Sequence, residues 1–275
     1  MNFSHAILLG ALQGLSEFLP ISSSGQLVIF ESFLPLGNVD ESVLKIFDIF
    51  LHTGTLLALL VIFKKELWQV LRAVLSCQVL AKENSMALKL LVGTLPAVGL
   101  ALVGEDFFDA HLRNVAAVAI LLAGSGLLFI LAERFPKGKT KHKFNLRQAW
   151  VVGIFQAFAI LPGISRSGSC IAAGLLQGVR RESAAHFSFL LAVPIIAGAT
   201  MLSLWKIFIE NGLAATFWQM LPPPILLAGF ATSSVVSFFT AKILLRIFRQ
   251  VSLRPFAIFL FVESACLIFS QLQNG

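Results

Sequence analysis

Six apolar runs, at roughly 43–63, 86–104, 114–132, 186–209, 222–245 and 254–272, constrain this 275-residue chain more than any other feature. Each has the length of about 20 residues that a helix needs to cross hydrocarbon, where every backbone N–H and C=O must be satisfied internally. The composition agrees: 57% of residues are hydrophobic and 13% charged, with a mean hydropathy of +0.87. These values exclude a soluble domain and point to an all-α polytopic membrane protein. The start "MNFSHAILL" lacks a basic n-region and no small-residue cleavage site follows, so no removable signal peptide is expected. Cys77, Cys170 and Cys266 have neither disulfide-framework nor metal-ligand spacing.

The formal charge of +7 matters by location. Lys64, Lys65, Arg72 and Lys82 follow the first run, and Glu105, Asp106 and Asp109 follow the second. The basic stretch "ERFPKGKTKHKFNLR", Glu133 to Arg147, follows the third. Arg180 and Arg181 precede the fourth, and Lys242, Arg246, Arg249 and Arg254 lie between the fifth and sixth. Because Lys and Arg concentrate in cytoplasmic loops, six crossings follow, with the acidic loop at 105–109 and the loop at 210–221 outside. Basic residues scattered in short loops between apolar runs make no nucleic-acid surface, and no nucleic acid is expected as a partner.

Two further apolar segments, 1–37 and 147–178, are interrupted by Pro, Gly and Ser. The charge pattern returns each to the side it came from, the first entering from outside and the second from the cytoplasm. Both are expected to be re-entrant helix–loop–helix hairpins, whose irregular turns need protein or water around them. The segments also match each other. "GALQGLSEFLPISSSG" and "GIFQAFAILPGISRSG" pair Gly10 with Gly153, Gln13 with Gln156, Ile21 with Ile164, Ser22 with Ser165, Ser24 with Ser167 and Gly25 with Gly168, every pair 143 positions apart. One integral membrane domain is expected, with repeat one at about 1–132 and repeat two at about 147–272. A hairpin plus three crossings per repeat gives an inverted topology, in which sites form where broken helices meet at the repeat interface.

The residues in the turns have a chemistry. Gln13 and Glu17 share a helical face. A carboxylate in mid-membrane costs about 2.5–3.5 kcal/mol on insertion scales and is by default paired and functional. Arg166 is the one cation in the turn of its hairpin and is flanked by Ser165 and Ser167; its planar fork suits phosphate oxygens. New helices begin near Gly25 and Gly168, and helix N-termini bind anions. Carboxylate, arginine, hydroxyls and two helix N-termini together describe a phosphate site with a nucleophile and a base, although some serines serve as helix caps. Asp48 and His52, one turn apart, are either a buried pair that orients the chain or part of the site. Glu31 and Glu263 are expected at interfaces or between helices. His5, His111, His142 and His186 show no ligand spacing.

The chain resembles the undecaprenyl-diphosphate phosphatase family, the bacitracin-resistance type of integral membrane phosphatase. The resemblance runs from the N-terminus to about residue 255. It rests on "QGLSEFLPISSSGQL" (family pattern (E/Q)GxxEFLPxSSxGH), "FDIFLHTGTLLALLV", "LPGISRSGS" (PGxSRSG) and "RRESAAHFSFLLAVPIIAGA". It implies six spans plus two re-entrant hairpins, and hydrolysis of undecaprenyl diphosphate to the monophosphate lipid carrier in a bacterial cell membrane. It also implies a motif carboxylate at Glu17 with Gln13 beside it, a nucleophile at Ser23 with Ser24 next to it, and a diphosphate clamp of Arg166, Ser165 and Ser167. Ser22 and Gln26 are further expected phosphate contacts, and a divalent cation, Mg or Ca, is expected with Glu17 as a ligand. The chain departs from the family at Gln26, where the family has histidine, and at Phe259 and Leu260, where the last span usually carries Tyr-Arg. An inverted-repeat transporter or flippase of a polyprenyl phosphate or another anion is the alternative reading. A homo-oligomer is compatible with the sequence.

Overall fold

The computed structural model describes residues 1–37, 39–76, 85–134, 144–205, 221–248 and 250–274. Among them the chain forms eleven helices and no β-sheet. In chain order these are α1 (Phe3–Ser16), α2 (Ser23–Phe33), α3 (Glu41–Ile62), α4 (Lys64–Leu75), α5 (Met86–Leu112), α6 (Val115–Arg134), α7 (Leu146–Phe158), α8 (Arg166–Leu176), α9 (Arg181–Trp205), α10 (Pro223–Ile247) and α11 (Arg254–Asn274). Helices α3, α5, α6, α9, α10 and α11 are each long and apolar enough to cross a membrane. They fall within a few residues of the six runs seen in the sequence, in an all-α multi-pass membrane protein.

Three local expectations are corrected. The acidic stretch 105–109 is not a loop, because α5 continues as helix to Leu112. Arg181 does not precede the fourth span but begins it. The basic residues after α3 sit on a separate amphipathic helix, α4, which buries none of its residues. Leu67, Trp68, Leu71, Val74 and Leu75 follow the three-and-four spacing of one helical face, with Gln69 opposite and Lys65 and Arg72 towards its flanks. The guanidinium of Arg72 lies 5.1 Å from the Trp68 ring centre. Most of the loops expected at 133–147 and 210–221, together with Lys82, Arg249, Cys77 and His142, lies outside the described residues.

Helix packing in lipid lacks a hydrophobic driving force between helices and relies on close backbone approach at small residues. Helix α1 packs on α10, and α7 packs on α5. At the first crossing a methyl added at Gly10 would lie 2.5 Å from the Gly229 carbonyl oxygen; at the second, one added at Gly153 would lie 2.5 Å from the Gly93 carbonyl oxygen. The α3–α10 contact carries hydroxyls instead: Thr55 Oγ1 lies 2.9 Å from Ser237 Oγ, and Ser233 Oγ donates to the Leu51 carbonyl at 2.6 Å. Outward-facing Leu91, Leu95, Leu102 and Val103 on α5 are exposed, as lipid-facing residues are.

Two buried arginine–carboxylate clamps tie helix ends together. Arg113, between α5 and α6, donates to Asp48 Oδ2 of α3 at 2.6 Å and to Glu31 Oε2 of α2 at 3.0 Å. Arg181, which opens α9, grips both oxygens of Glu133 on α6 at 2.5 and 3.0 Å, and Glu133 also accepts from the Leu253 N–H before α11 at 2.9 Å. Removing one partner of such a pair strands a buried charge, which is strongly destabilising.

Candidate active site

The two serine turns sit between short helices, and each new helix is capped by its own serine. Ser22 Oγ accepts from the Gly25 N–H at 3.4 Å, and Ser165 Oγ from the Gly168 N–H at 3.2 Å. Ser22 and Ser165 are therefore N-caps, each satisfying one of the first-turn donors that a helix leaves without a carbonyl. Ser23 and Arg166 occupy the equivalent first positions of α2 and α8. The turns touch: the Gly25 site faces the Gly163 backbone at 3.1 Å, and Ser167 Oγ donates to the Leu19 carbonyl at 3.2 Å. On α6, Ser125 accepts from the Ser165 N–H at 3.1 Å and donates to the Gly163 carbonyl at 3.2 Å, partnering the irregular backbone of the turn.

The turns differ in one respect. Ser165 has an extended backbone, whereas Ser22 has φ 65° and is the one non-glycine residue with positive φ among the described residues. Such a conformation costs about 1–3 kcal/mol and persists only where its surroundings fix it. It directly precedes Ser23.

Glu17 lies at the centre. Its Oε1 accepts from Arg166 Nη2 at 2.5 Å, and its Oε2 accepts from Ser23 Oγ at 2.6 Å and from Gln13 Nε2 at 2.9 Å. His52 Nε2 stands 3.4 Å from the same Oε2. The Asp48 carbonyl can only accept, so His52 Nδ1 must carry the proton of their 2.8 Å bond, and Nε2 faces the carboxylate. Arg166 also donates through Nη1 to the Ser188 carbonyl at 3.0 Å, which aims α8 against α9 and leaves further guanidinium N–H groups for a ligand. A cavity of about 260 Å³ opens onto this group, with Glu17, Ser23, Ser24, His52, Gln156, Arg166 and Thr200 as its polar lining. Ile49, Ile160, Ile164, Ile195 and Ile196 make an apolar flank beside them.

The structure thus gathers Glu17, Ser23, Ser24, His52 and Arg166 at one cavity. Gln13, fully buried, supports Glu17 from behind. Ser22, Ser165 and Ser167 are committed to backbone and to each other. Gln26 points away: its side chain bonds the Ile21 carbonyl and Glu263, and it does not line the cavity. The Asp48 carboxylate goes to Arg113, so the anticipated Asp48–His52 pair of side chains does not form. Gln156 and Thr200 line the cavity without having been singled out for it; the 143-residue offset from Gln13 is the signal that could have found Gln156.

The cavity offers a divalent cation one carboxylate and no all-protein cage. Ca²⁺ takes six to eight oxygen ligands, whereas Mg²⁺ keeps several waters and is held by one or two carboxylates together with substrate phosphates, so Glu17 with a bound diphosphate is the kind of set it would use. Glu17 is the one carboxylate lining the cavity, and Arg166, Gln13 and Ser23 engage both of its oxygens. Among the described residues no group of three His, Cys, Asp or Glu side chains could hold a metal ion.

What the arrangement offers is a hydroxyl already donating to a carboxylate, an adjacent guanidinium with free donors, two helix N-termini and an apolar wall. That is the equipment for binding and cleaving a phosphate ester or anhydride attached to something greasy. Residues 6–266 match the family described as bacitracin resistance protein BacA. Curated relatives named undecaprenyl-diphosphatase are similar over almost their whole length. The protein from Rubrobacter xylanophilus is 40% identical over 271 residues, covering 96% of this chain and 97% of the relative. The one from Halothermothrix orenii is 36% identical over 269 residues, 98% of each. The one from Rhodopirellula baltica is 40% identical over 252 residues, 91% of each. With that extent of match, the chain belongs to the bacitracin resistance protein BacA family.

Proposed function

We propose that this chain hydrolyses undecaprenyl diphosphate to undecaprenyl phosphate and inorganic phosphate, regenerating the lipid carrier for peptidoglycan and other envelope polymers and so conferring bacitracin resistance. The observation that carries the reading is the 2.6 Å bond from Ser23 Oγ to Glu17 Oε2, with Arg166 on the other carboxylate oxygen. A general base must stand within hydrogen-bond reach of the proton it takes, and Glu17 does.

In this reading the Arg166 donors and the first-turn N–H groups of α2 and α8 hold the phosphate oxygens and stabilise charge in the transition state. Ser23 Oγ bonds the terminal phosphorus while Glu17 takes the hydroxyl proton. The bond to the bridging oxygen breaks, and that oxygen leaves with its electron pair as undecaprenyl phosphate. Water then attacks the phosphoserine, releasing inorganic phosphate and returning the serine hydroxyl. Gln13 holds Glu17, His52 borders its Oε2, and the isoleucine flank receives the first isoprene units.

The enzyme resides in the bacterial cell (inner) membrane with α1–α2 and α7–α8 as re-entrant hairpins of an inverted repeat. Two observations support this. Gly10 and Gly153, 143 positions apart, each meet a glycine carbonyl of a long helix, Gly229 on α10 and Gly93 on α5. The Gly25–Gly163 contact likewise corresponds to the approach of Gly168 to Pro20. The site opens to the periplasmic or external side: the cavity is bordered by Ile49 in the first half of α3 and Thr200 near the end of α9, the ends that the charge pattern puts outside. The deciding experiment is phosphate release from undecaprenyl diphosphate by the purified protein in detergent, with divalent cation present. Turnover is expected. Its absence would favour a transporter or flippase.

A further inference from the structure

The strained serine turn has a clamp that reaches it from the far end of the chain. Gln26 holds two consecutive carbonyls: its backbone N–H donates to Ser22 O at 2.9 Å, and its side-chain Nε2 donates to Ile21 O at 3.2 Å. Those carbonyls belong to the peptide groups on either side of Ser22, the residue with positive φ. The same Nε2 also donates to Glu263 of α11, at 2.9 Å to Oε1 and 2.8 Å to Oε2. One amide nitrogen thus ties the turn to the last helix. A carboxylate within an apolar candidate span is costly without a partner, and Gln26 supplies one.

The equivalent turn lacks this arrangement. Ser169 occupies the position of Gln26 143 residues on, and its backbone N–H bonds Ser165 O at 2.8 Å, but its buried Oγ has no hydrogen-bond partner. There the capping serine is extended and needs no restraint. The side-chain clamp occurs where the backbone is strained and where the next residue is Ser23.

We propose that Glu263 is a positioning residue for the reaction. Acting through Gln26, it holds the Ile21–Ser22 peptide in its left-handed geometry, so that the Ser23 hydroxyl stays on Glu17. Glu263 touches neither the cavity nor the reacting atoms; it sets where the nucleophile stands.

This rests on the phosphatase reading, and the experiment separates the two. Phosphate release and thermal unfolding are measured for the wild type, Glu263→Ala, Glu263→Gln, Gln26→Ala and the Glu263→Ala/Gln26→Ala pair. A lost positioning contact lowers kcat at least about tenfold with KM within about twofold, the signature of an interaction expressed in the transition state. Glu263→Gln, whose amide oxygen still accepts from Gln26, should keep kcat within about threefold of wild type. The double variant should be no slower than Gln26→Ala, because coupled residues do not add. Hydrogen–deuterium exchange of the peptide covering 19–28 should quicken in Glu263→Ala, a readout that needs no substrate. A kcat for Glu263→Ala within about twofold of wild type, or losses that add in the double variant, overturns the proposal. If the wild type itself releases no phosphate, the phosphatase reading falls, and the clamp then stands or falls on the exchange measurement.

Discussion

At the residue scale, Glu17 and Arg166 carry opposite charges in contact, yet their losses should differ in kind. Glu17→Gln keeps an oxygen for Arg166 and removes the proton acceptor from Ser23; Arg166→Ala leaves Glu17 charged and buried and removes donors for phosphate. Each should lower kcat by at least about a hundredfold, the scale of losing acid–base or charge stabilisation, read as phosphate release. Arg166→Lys should recover little, because a point charge cannot serve the Ser188 carbonyl, Glu17 and a phosphate together. His52→Ala should cost no more than about tenfold, since the hydroxyl proton of Ser23 already points to Glu17. A loss matching that of Glu17→Gln would move the base to His52. The motif order was enough to name Glu17, Ser23 and Arg166. It did not fix side-chain direction: spacing put Asp48 and His52 on one face, but the imidazole took Asp48's backbone carbonyl, and its carboxylate found Arg113, 65 positions away in sequence. Gln26 misled for the same reason, because its partner Glu263 is 237 positions distant.

Among the elements, the spans were legible because their apolar length is set by the bilayer, and the breaks between α1 and α2 and between α7 and α8 because Pro, Gly and Ser punctuate them. Helix α4 was not, since four basic residues after a span read as a loop until the apolar spacing of Leu67, Leu71 and Leu75 is set against them. An amphipathic helix of this kind, with Trp and Leu on one side and Lys and Arg on the other, lies in the membrane interface. Spin labels in liposomes test that: a label at Leu71→Cys should be relaxed by dissolved oxygen, and one at Lys65→Cys by a water-soluble nickel chelate, in a background without native cysteines. Equal nickel access at both positions would place α4 in water. The glycine crossings make a second prediction. Gly10→Ala and Gly153→Ala each push a methyl to 2.5 Å from a backbone oxygen, which no side-chain rotation relieves. Overpacking of this kind costs about 1–3 kcal/mol, and each variant should unfold at a lower temperature in detergent. Gly124→Ala, which meets nothing within 4 Å, is the control and should leave the midpoint unlowered, or raise it as alanine does in a helix interior.

For the whole molecule, the sequence paired its two serine-turn segments through a constant offset, and charge sidedness gave an expected compartment for each loop. Neither could say which parts of the turns are reachable. Ser22 and Gly25 are buried, so thiols placed there would test packing more than sidedness. Ser24 and Thr200 line the cavity, approaching it from α2 and α9. In a background with Cys77, Cys170 and Cys266 replaced, Ser24→Cys and Thr200→Cys should react with a membrane-impermeant thiol reagent added to intact cells. Undecaprenyl diphosphate, added at millimolar concentration in mixed micelles to the purified variants, should slow the reaction at Ser24→Cys. The charge pattern assigns α4 to the cytoplasmic face, so Lys65→Cys should label only after lysis and calibrates the assay. Both thiols line the same cavity, so they should label from the same side. Labelling of Ser24→Cys and Thr200→Cys only after lysis, together with Lys65→Cys, would reverse the external opening while leaving the chemistry of Glu17, Ser23 and Arg166 as it stands. Labelling of one from outside and the other only after lysis would mean a passage through the protein, as a transporter or flippase requires and a one-sided phosphatase does not.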